Sequence, residues 1–371
     1  MALTSEQNAY CAWLASAGLP PGKLRYLLDI FHDPASCYQA FQQNSVDFSE
    51  ILSPRFRILL ERNADSEKLM NFIRIMKNNE IQAFHYNDDL YPGRLKQIPD
   101  PPAILFYQGT ISSLENRVIA VVGSRAASYS GQKATRKLTR ELSSHHISII
   151  SGLATGIDTC AHTGCLDGGS PTIAVMGCGL DMVYPAVNTA LRDQIIIQGG
   201  LLLSEYPPGE KPTGWHFPVR NRIITGLADA LIMMEAKIRS GSMTSVQHAL
   251  EQGKDIFVYP GDPSSEYYEG NHQLLREGGI YFTSAEDILE DLHWLDNPSP
   301  VGQNSDCSAC GITMTPEASA VINALKPGIL GFEKLSSVSG LEPSKLMGTL
   351  TVLQINGIIE VMPGKQYQLK R

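Results

Sequence analysis

Six short apolar runs, separated by segments of helical periodicity, dominate the sequence between residues 118 and 259. The runs are VIAVV (118–122), ISII (147–150), TIAVM (172–176), LLLSE (201–205), ALIMME (230–235) and IFVY (256–259). Buried strands that alternate with helices are typical of a parallel sheet, because parallel strands need long crossover connections. The pattern therefore predicts an α/β fold built on a parallel sheet.

Each apolar run is followed by a loop of glycine and small polar residues. In chain order the loops are GSR, SGLATG, GCG, YPPGEKPTGWHFP, AKIRSGS and PGD. The carboxyl ends of parallel strands lie along one edge of the sheet, and open α/β folds bind their ligands there. We therefore expect these loops to share one edge and to form the binding site.

The rest of the chain predicts smaller flanking domains, since 371 residues exceed what a single core usually supports. Residues 1–75 show helical spacing without strand alternation and predict a small helical domain. Residues 80–292 contain the sheet, preceded by a Pro-rich approach with a short strand at 104–107, and residues 293–311 are a polar linker. Residues 312–371 have the pattern of a winged helix, with three helices and a two-stranded hairpin.

Composition predicts a cytoplasmic protein with reduced thiols. No run of about 18 apolar residues could span a membrane, and the initial MALTSEQNAY has no secretory leader. The seven cysteines are odd in number and scattered, which favours free thiols over a disulfide framework. The net charge of −8 gives little support for nucleic acid as a ligand, so any such site must rest on local charge.

Two basic stretches lie within the predicted sheet domain. Residues 123–140 include five basic residues and no acid, and residues 211–222 include three, beginning with Lys211. The second stretch also contains Trp215, His216 and Phe217. Basic residues with embedded aromatics suit a surface that follows a phosphate backbone and stacks bases. For the first stretch, a solvated helix face is an equally good interpretation.

The loop Gly123-Ser124-Arg125 is the first indication of a phosphate site. A dinucleotide fingerprint would need a glycine at the third position of this turn and an acid about 20 residues further on. Here the third position is Arg125, and the second strand ends in Ser151-Gly152. A guanidinium can instead pair with two oxygens of a phosphodiester. The alternative for Arg125 taken alone is a structural ion pair.

Two further loops repeat this chemistry. FPVRNRII presents Arg220 and Arg222 around Asn221, and IRSGSMTS presents Arg239 before Ser240-Gly241-Ser242. The second of these loops leads into a helix start, where free backbone N–H groups bind phosphate. Cations on several loops of one edge exceed what a single nucleotide needs. They predict contact with a row of phosphates, as along a single strand.

In order and spacing, these motifs resemble the DprA/Smf family of DNA-processing proteins. The resemblance covers residues 118–292 through VVGSR, SGLATGIDTCAH, TIAVMGCGLDMVYP, SEYPPG, FPVRNRII, EAKIRSGSMTSVQHALEQGKDIFVYPG, NHQLLREGG and SAEDIL. It implies an extended Rossmann-like sheet domain with an N-terminal helical, SAM-like domain and a C-terminal winged-helix domain. It also implies a homodimer that binds and protects single-stranded DNA and loads the RecA recombinase on it during natural transformation.

The residues expected to contact DNA lie in the predicted loops. Ser124, Arg125 and the Phe-Pro-x-Arg-Asn-Arg element match the family's DNA-contact motifs, and residues 239–242 match a loop on the same edge. The full predicted set is Gly123, Ser124, Arg125, Gly152, Lys211, Phe217, Arg220, Asn221, Arg222, Arg239, Ser240, Gly241 and Ser242.

The sequence gives less support to catalysis or to a metal. Asp158 and His162 predict a helix cap and a hydrogen-bonded histidine rather than an acid/base pair, because no nucleophile is near in sequence. Cys307 and Cys310 form a lone C-x-x-C without two further ligands for zinc. The chain also lacks the phosphate-binding G-x-x-x-x-G-K-[ST] motif. We therefore expect no enzymatic activity, no metal and no cofactor.

Two alternative functions remain open at this stage. A hydrolase of nucleoside monophosphates on a related fold would carry a Pro-Gly-Gly-x-Gly-Thr loop, but Pro260-Gly261-Asp262 lacks the second glycine and the threonine. A winged-helix transcriptional regulator would need a basic recognition helix. Residues 342–356 include only one lysine and one glutamate.

Overall fold

The computed structural model describes residues 3–295, 316–325, 330–341, 343–355, 359–362 and 366–369. The chain divides into two compact units, Met1–Val301 and Gly302–Arg371. Within the described residues, the first unit contains N-terminal helices and a large sheet, and the second contains three helices and a small sheet. No helix in these described parts is both long enough and apolar enough to cross a membrane.

The N-terminal helices occupy the segment that was predicted to be helical. They are α1 Ser5–Ala15, α2 Pro21–Phe31, α3 Pro34–Gln42, α4 Phe48–Ile51, α5 Pro54–Asn63 and α6 Ser66–Asn78. Side chains fix several helix starts: Thr4 forms a capping box on α1, and Asp33 and Asp65 accept backbone N–H groups at α3 and α6. The helices pack around Trp13, whose indole N–H donates to the Leu60 carbonyl at 3.2 Å.

A nine-stranded sheet forms the centre of the first unit. Its strands are β1 Gln82–His85, β2 Ile104–Gly109, β3 Val118–Gly123, β4 Ser148–Ser151, β5 Thr172–Met176, β6 Leu201–Ser204, β7 Ala230–Glu235, β8 Asp255–Val258 and β9 Ile280–Tyr281. The strand order is β1-β2-β6-β5-β4-β3-β7-β8-β9. The seven neighbouring strands β6-β5-β4-β3-β7-β8-β9 all pair in parallel. Strand β2 pairs antiparallel with both β1 and β6. The predicted α/β fold with a parallel sheet is confirmed.

Helices cover both faces of the sheet. They are α7 Gly93–Lys96, α8 Tyr129–Ser144, α9 Ile157–Gly168, α10 Thr189–Ile197, α11 His216–Leu227, α12 Met243–Glu251, α13 Glu269–Arg276 and α14 Ala285–Asp291, with 3-10 turns at Ile111–Leu114, Ala186–Asn188 and Glu266–Tyr268. Alternate residues of β3 face opposite layers. Ile119 and Val121 belong to the core under α8 and α9, whereas Ala120 and Val122 belong to the core under α11 and α12.

The N-terminal helices share an apolar core with the sheet. Trp13 and Leu28 belong to the same buried cluster as Phe106 of β2 and Leu202 of β6. The boundary between the helical domain at 1–75 and the sheet domain at 80–292 therefore stays a prediction, because the two segments pack as one compact unit.

The sheet grows in two directions from β3. Strands β4, β5 and β6 follow on one side, and β7, β8 and β9 lie on the other. The connection from β3 runs into α8 on one face, and that from β7 runs into α12 on the opposite face. Loops that diverge in this way leave a crevice at the carboxyl ends of the two strands, where open α/β folds bind ligands.

The second unit has a winged-helix arrangement. Its described helices are α15 Pro316–Leu325, α16 Phe332–Ser339 and α17 Pro343–Ile355, and its strands are β10 Leu330–Gly331, β11 Ile359–Met362 and β12 Gln366–Leu369. Strand β12 pairs antiparallel with β10 and β11. Leu335, Leu346, Leu350 and Tyr367 are buried between the helices and the sheet. The three helices and the hairpin agree with the predicted pattern, and β10 is an addition to it.

The five described cysteines carry free thiols. Cys165 and Cys178 are buried, and Cys160 is half-buried. Cys307 and Cys310, the predicted lone C-x-x-C pair, lie outside the described residues.

Candidate nucleic-acid interface

A cavity of about 740 Å³ lies at the carboxyl edge of the sheet, between β3 and β7. Its walls come from the loop after β3, the loop after β7 and the first turns of α11. The predicted residues that line it are Gly123, Ser124, Arg125, Phe217, Arg220, Asn221, Arg239, Ser240, Gly241 and Ser242. Tyr184, Lys237 and Tyr267 also line it, and the sequence did not single them out.

The loop after β3 is fixed by close backbone contacts. The Ser124 N–H donates to the Glu235 carbonyl at 2.8 Å, and the Ile157 N–H donates to the Ser124 carbonyl at 3.1 Å. Gly156 lies so near that a Cβ there would be 2.3 Å from the Ser124 carbonyl oxygen. Its φ of +78° also favours glycine. These contacts hold the backbone immediately before Arg125 at the cavity.

The Arg125 guanidinium lies over the ring of Phe217, which in turn packs against Tyr184. Its central carbon is 4.9 Å from the centroid of the Phe217 ring, and the centroids of Phe217 and Tyr184 are 5.4 Å apart. Arg125 is exposed, and no ion pair within the described residues includes it. The alternative of a structural ion pair is therefore not found in this part of the chain. The cation keeps its capacity to bind an anion.

A buried carboxylate, that of Glu235 at the end of β7, fixes the start of α8. It accepts the Ser128 N–H at 3.0 Å and a hydrogen bond from the Ser128 hydroxyl. The same hydroxyl accepts the Gly131 N–H at 3.0 Å as the N-cap of α8. Glu235 is not among the predicted site residues, although it is the acid that closes the apolar run ALIMME. Glu235 positions the loop between β3 and α8.

The loop after β7 contributes two cations. The Lys237 ammonium lies 2.9 Å from the Glu266 carboxylate and 4.9 Å from the Tyr267 ring centroid. Arg239 is exposed and has no ion-pair partner in the described parts of the chain. The two hydroxyls of Ser240-Gly241-Ser242 lie 2.7 Å apart and close the turn before α12.

Arg220 forms the floor of the cavity. Arg220 is only 3% exposed. Its guanidinium donates hydrogen bonds to the carbonyl oxygens of Gly152, at 3.0 Å, and of Val175. Burial lowers the pKa of Arg220 to about 10, and the nearby Asp158 opposes this shift. Burial likewise raises the pKa of Asp158, and Arg220 opposes that shift in turn. Arg220 is thus a cation built into the protein interior.

Three predicted contact residues lie outside the walls of this cavity. Arg222 is 5% exposed and pairs with the Glu205 carboxylate at 2.7 Å. Gly152 is buried, and a Cβ there would meet the Arg220 guanidinium at 2.4 Å. Lys211 is exposed on the loop between β6 and α11. Arg222 is thus held in an ion pair inside the protein in place of the predicted DNA contact, and the lack of a side chain at Gly152 makes room for the Arg220 guanidinium.

Asp158 and His162 are both buried; Asp158 lines the cavity and His162 does not. Asp158 accepts the N–H groups of Gly152 and Ala154 at 3.1 and 3.2 Å. It does not cap α9, so the predicted helix cap is wrong. His162 Nδ1 lies 2.8 Å from the Thr172 hydroxyl, while its Nε2 has no partner among the described residues. Burial lowers the pKa of His162 to about 3. Within the described ranges, no group of three or more metal-ligating side chains is placed to hold an ion.

Of the basic residues in 123–140, only Arg125 lines the cavity. The other four are exposed on α8. Arg136 pairs with Asp167 at 2.7 Å and Lys137 pairs with Glu141 at 3.7 Å. Apart from Arg125, this stretch is therefore a solvated helix face, the alternative that the sequence left open.

The sequence is similar to known DNA-processing proteins. Residues 82–293 match the family described as DNA recombination-mediator protein A, and residues 311–365 match the DprA winged helix domain. The DNA processing protein DprA of Streptococcus pneumoniae is 45% identical over 215 residues, which cover 58% of this chain and 76% of that protein. Protein Smf of Escherichia coli is 34% identical over 290 residues, which cover 77% of this chain and 76% of that protein.

Two solved structures have the same fold. The X-ray structure of DprA from Streptococcus pneumoniae superposes with a TM-score of 0.65 and 36% identity, covering 78% of this chain and 99% of that one. DNA processing protein A from Helicobacter pylori, described for its single-stranded DNA binding mode, superposes with a TM-score of 0.52 and 30% identity. That superposition covers 58% of this chain and 96% of the other. The Rossmann-like sheet domain and the winged helix are both supported by these matches.

Proposed function

Because this chain belongs to the DprA/Smf family of DNA-processing proteins, we propose that it binds single-stranded DNA in the cavity between β3 and β7. One observation carries the proposal: Arg125 is exposed at this cavity, lies over the Phe217 ring and has no ion-pair partner in the described residues. Arg239 adds a second exposed cation from the loop after β7. The relative from Helicobacter pylori, described for its single-stranded DNA binding mode, supports the same class of ligand.

The chemistry of the cavity favours an unpaired strand. Exposed guanidinium groups neutralise phosphates whatever the base sequence, and aromatic rings stack on bases whose faces are free. Phe217 and Tyr184 line the cavity together with Arg125 and Lys237. In a duplex the base faces are already stacked on one another, so these rings would find no partner. We therefore expect single strands to bind with little base selectivity and more tightly than duplex.

Fluorescence anisotropy with labelled oligo(dT) over a salt series tests the proposal. Arg125→Ala and Arg239→Ala should each weaken binding by about 1 to 3 kcal/mol, and loss of one phosphate contact should reduce the salt slope by about 0.7. The matched control is Arg57→Ala, because Arg57 is an exposed arginine on α5 that pairs with Glu61. That variant should bind like the parent protein. Equal binding by all three variants would exclude this cavity as the site.

The proposal extends to assembly and to recombination. We propose that the protein acts as a homodimer, protects the bound strand and delivers it to the RecA recombinase during natural transformation. Sedimentation of the full chain over a concentration series measures the dimer. Nuclease protection of oligo(dT) and the rate of RecA filament assembly should both fall in Arg125→Ala, since both need the bound strand. Unchanged protection and assembly rates in this variant would separate those activities from the cavity.

The alternative of a nucleoside-monophosphate hydrolase has a direct test. Incubation of the protein with deoxynucleoside monophosphates should release no free base, measured by chromatography. Asp158, the carboxylate that lines the cavity, is already engaged by two backbone N–H groups and lies beside Arg220. Release of base that depends on Asp158 would replace the binding function with an enzymatic one.

A further inference from the structure

Trp215 presents a large aromatic surface beside the cavity. It is 65% exposed, and it lies on the loop between β6 and α11 as the N-cap residue of α11. Its neighbours Gly214 and Phe217 line the cavity, whereas Trp215 itself does not. The ring therefore stands just outside the site described above, on the same loop as the exposed Lys211.

The Trp215 ring is supported by two buried rings. It meets His216 edge-on at a centroid distance of 4.2 Å and Tyr206 at 6.5 Å. His216 and Tyr206 are stacked at 3.8 Å. His216 is 1% exposed, and its Nδ1 lies 3.0 Å from the Gly177 carbonyl. The two rings that support Trp215 are therefore fixed to the core.

We propose that Trp215 is a base-stacking position outside the cavity, which takes an unpaired nucleobase of the strand that the cavity holds. This inference rests on the proposed function. The occupant follows from the position of the ring, because Trp215 lies between Gly214 and Phe217 in the chain and both of these residues line the cavity proposed to hold the strand. Indole rings stack on any base, since every base has a π face. Lys211, four residues earlier, supplies positive charge on the same loop.

Tryptophan fluorescence of the full chain tests this stacking. The chain has three tryptophans; Trp13 is fully buried and Trp294 is half-buried under Arg117. Oligo(dT) should quench the emission with the same midpoint as the anisotropy titration. Trp215→Leu should abolish the quenching and weaken binding about tenfold, whereas Trp215→Tyr should keep most of the affinity because it keeps an aromatic face. Trp294→Phe is the matched control and should leave the quenching unchanged.

The outcomes separate this inference from the proposed function. If oligo(dT) binds, Trp215→Leu retains full affinity and the parent emission is not quenched, the stacking position is wrong while the cavity remains the site. If Trp215→Leu changes the sedimentation of the protein but not its DNA affinity, the ring contacts protein and the inference is overturned. If the parent protein binds no oligonucleotide, both proposals fail. Circular dichroism checks that the leucine variant is folded, and the Trp215→Tyr result and parent quenching decide the question if it is not.

Discussion

Helix α11 and the two loops that face it use the same side chain in opposite ways. Arg220 and Arg222 of α11 are buried, and their guanidinium groups bond to carbonyl and carboxylate oxygens of the protein. Arg125 and Arg239 on the loops are exposed, and neither has an ion-pair partner within the described residues. All four come from motifs that predict DNA contact. The comparison teaches that the element carrying an arginine decides whether its charge serves the fold or a ligand.

The difference has an energetic basis. A buried guanidinium has lost its hydration, so it must be satisfied by the protein, and removing it leaves its partners without compensation. An exposed guanidinium keeps its water until a phosphate replaces that water, so its removal leaves the fold almost unchanged. Variants of the buried pair should therefore alter stability, and variants of the loop pair should alter DNA affinity.

The largest effect is expected for Arg220→Met. This change removes the donor to Gly152 and Val175 and leaves the buried Asp158 without its neighbouring cation, so the free energy of unfolding should fall by about 3 to 5 kcal/mol. Urea denaturation followed by circular dichroism measures it. The control Arg125→Met should stay within about 0.5 kcal/mol of the parent. Equal losses of stability in Arg220→Met and Arg125→Met would contradict the proposed difference between buried and exposed arginines.

A smaller loss of stability is expected for Arg222→Met. The Glu205 side chain that it pairs with is 14% exposed, so its carboxylate is partly hydrated and the loss should be about 2 to 3 kcal/mol. The double variant with Glu205→Gln should recover part of that loss, measured in the same urea experiment. Weaker oligo(dT) binding by Arg222→Met at unchanged stability would instead show that Arg222 contacts DNA, as the sequence predicted.

Acid should weaken the buried region through His162. In the unfolded chain this imidazole binds a proton near its ordinary pKa of about 6.5, but burial and the adjacent Arg220 hold its folded pKa at about 3. The unfolded state therefore binds more protons between these values, and stability falls as the pH falls. The contribution is about 2 kcal/mol at pH 5 relative to pH 7. In His162→Asn, the free energy of unfolding measured in urea should depend less on pH over this range. An equally steep dependence would mean that other groups cause the acid sensitivity.

The smallest effect is expected for Arg125→Lys, on the exposed side of the comparison. Lysine keeps the charge but loses the planar stacking on Phe217 and the bidentate geometry. Affinity for oligo(dT) should fall by about 0.5 to 1 kcal/mol, and the salt slope should be unchanged. A loss as large as that of Arg125→Ala would mean that the geometry of the fork, and not its charge, dominates.

The sequence could predict the sheet and the edge that carries the site, because central parallel strands are apolar on both faces and their loops must meet. It did not predict β1 or β9. Strand β9 has only two residues, and β1 is the segment QAFH, whose polar ends leave no continuous apolar run. Their pairing depends on the rest of the sheet.

The burial of Arg220 had a signal that the motif obscured. Residues 220, 224 and 227 share one face of α11, and Ile224 and Leu227 are buried. A cation on that apolar face pointed inward by periodicity alone. The pairing of Arg222 with Glu205 carried no such signal, because it joins two elements whose relative position only the fold determines.

One side chain extends the sheet beyond its main-chain pairing. The backbone pairing of β4 with β5 ends at Ser151 and Ala174, and the next carbonyls, those of Gly152 and Val175, both accept hydrogen bonds from Arg220. A guanidinium thus supplies one more rung where the peptide ladder stops. Arg220 thus joins the two strand ends through hydrogen bonds within the protein, so the floor of the cavity does not depend on a ligand for its shape.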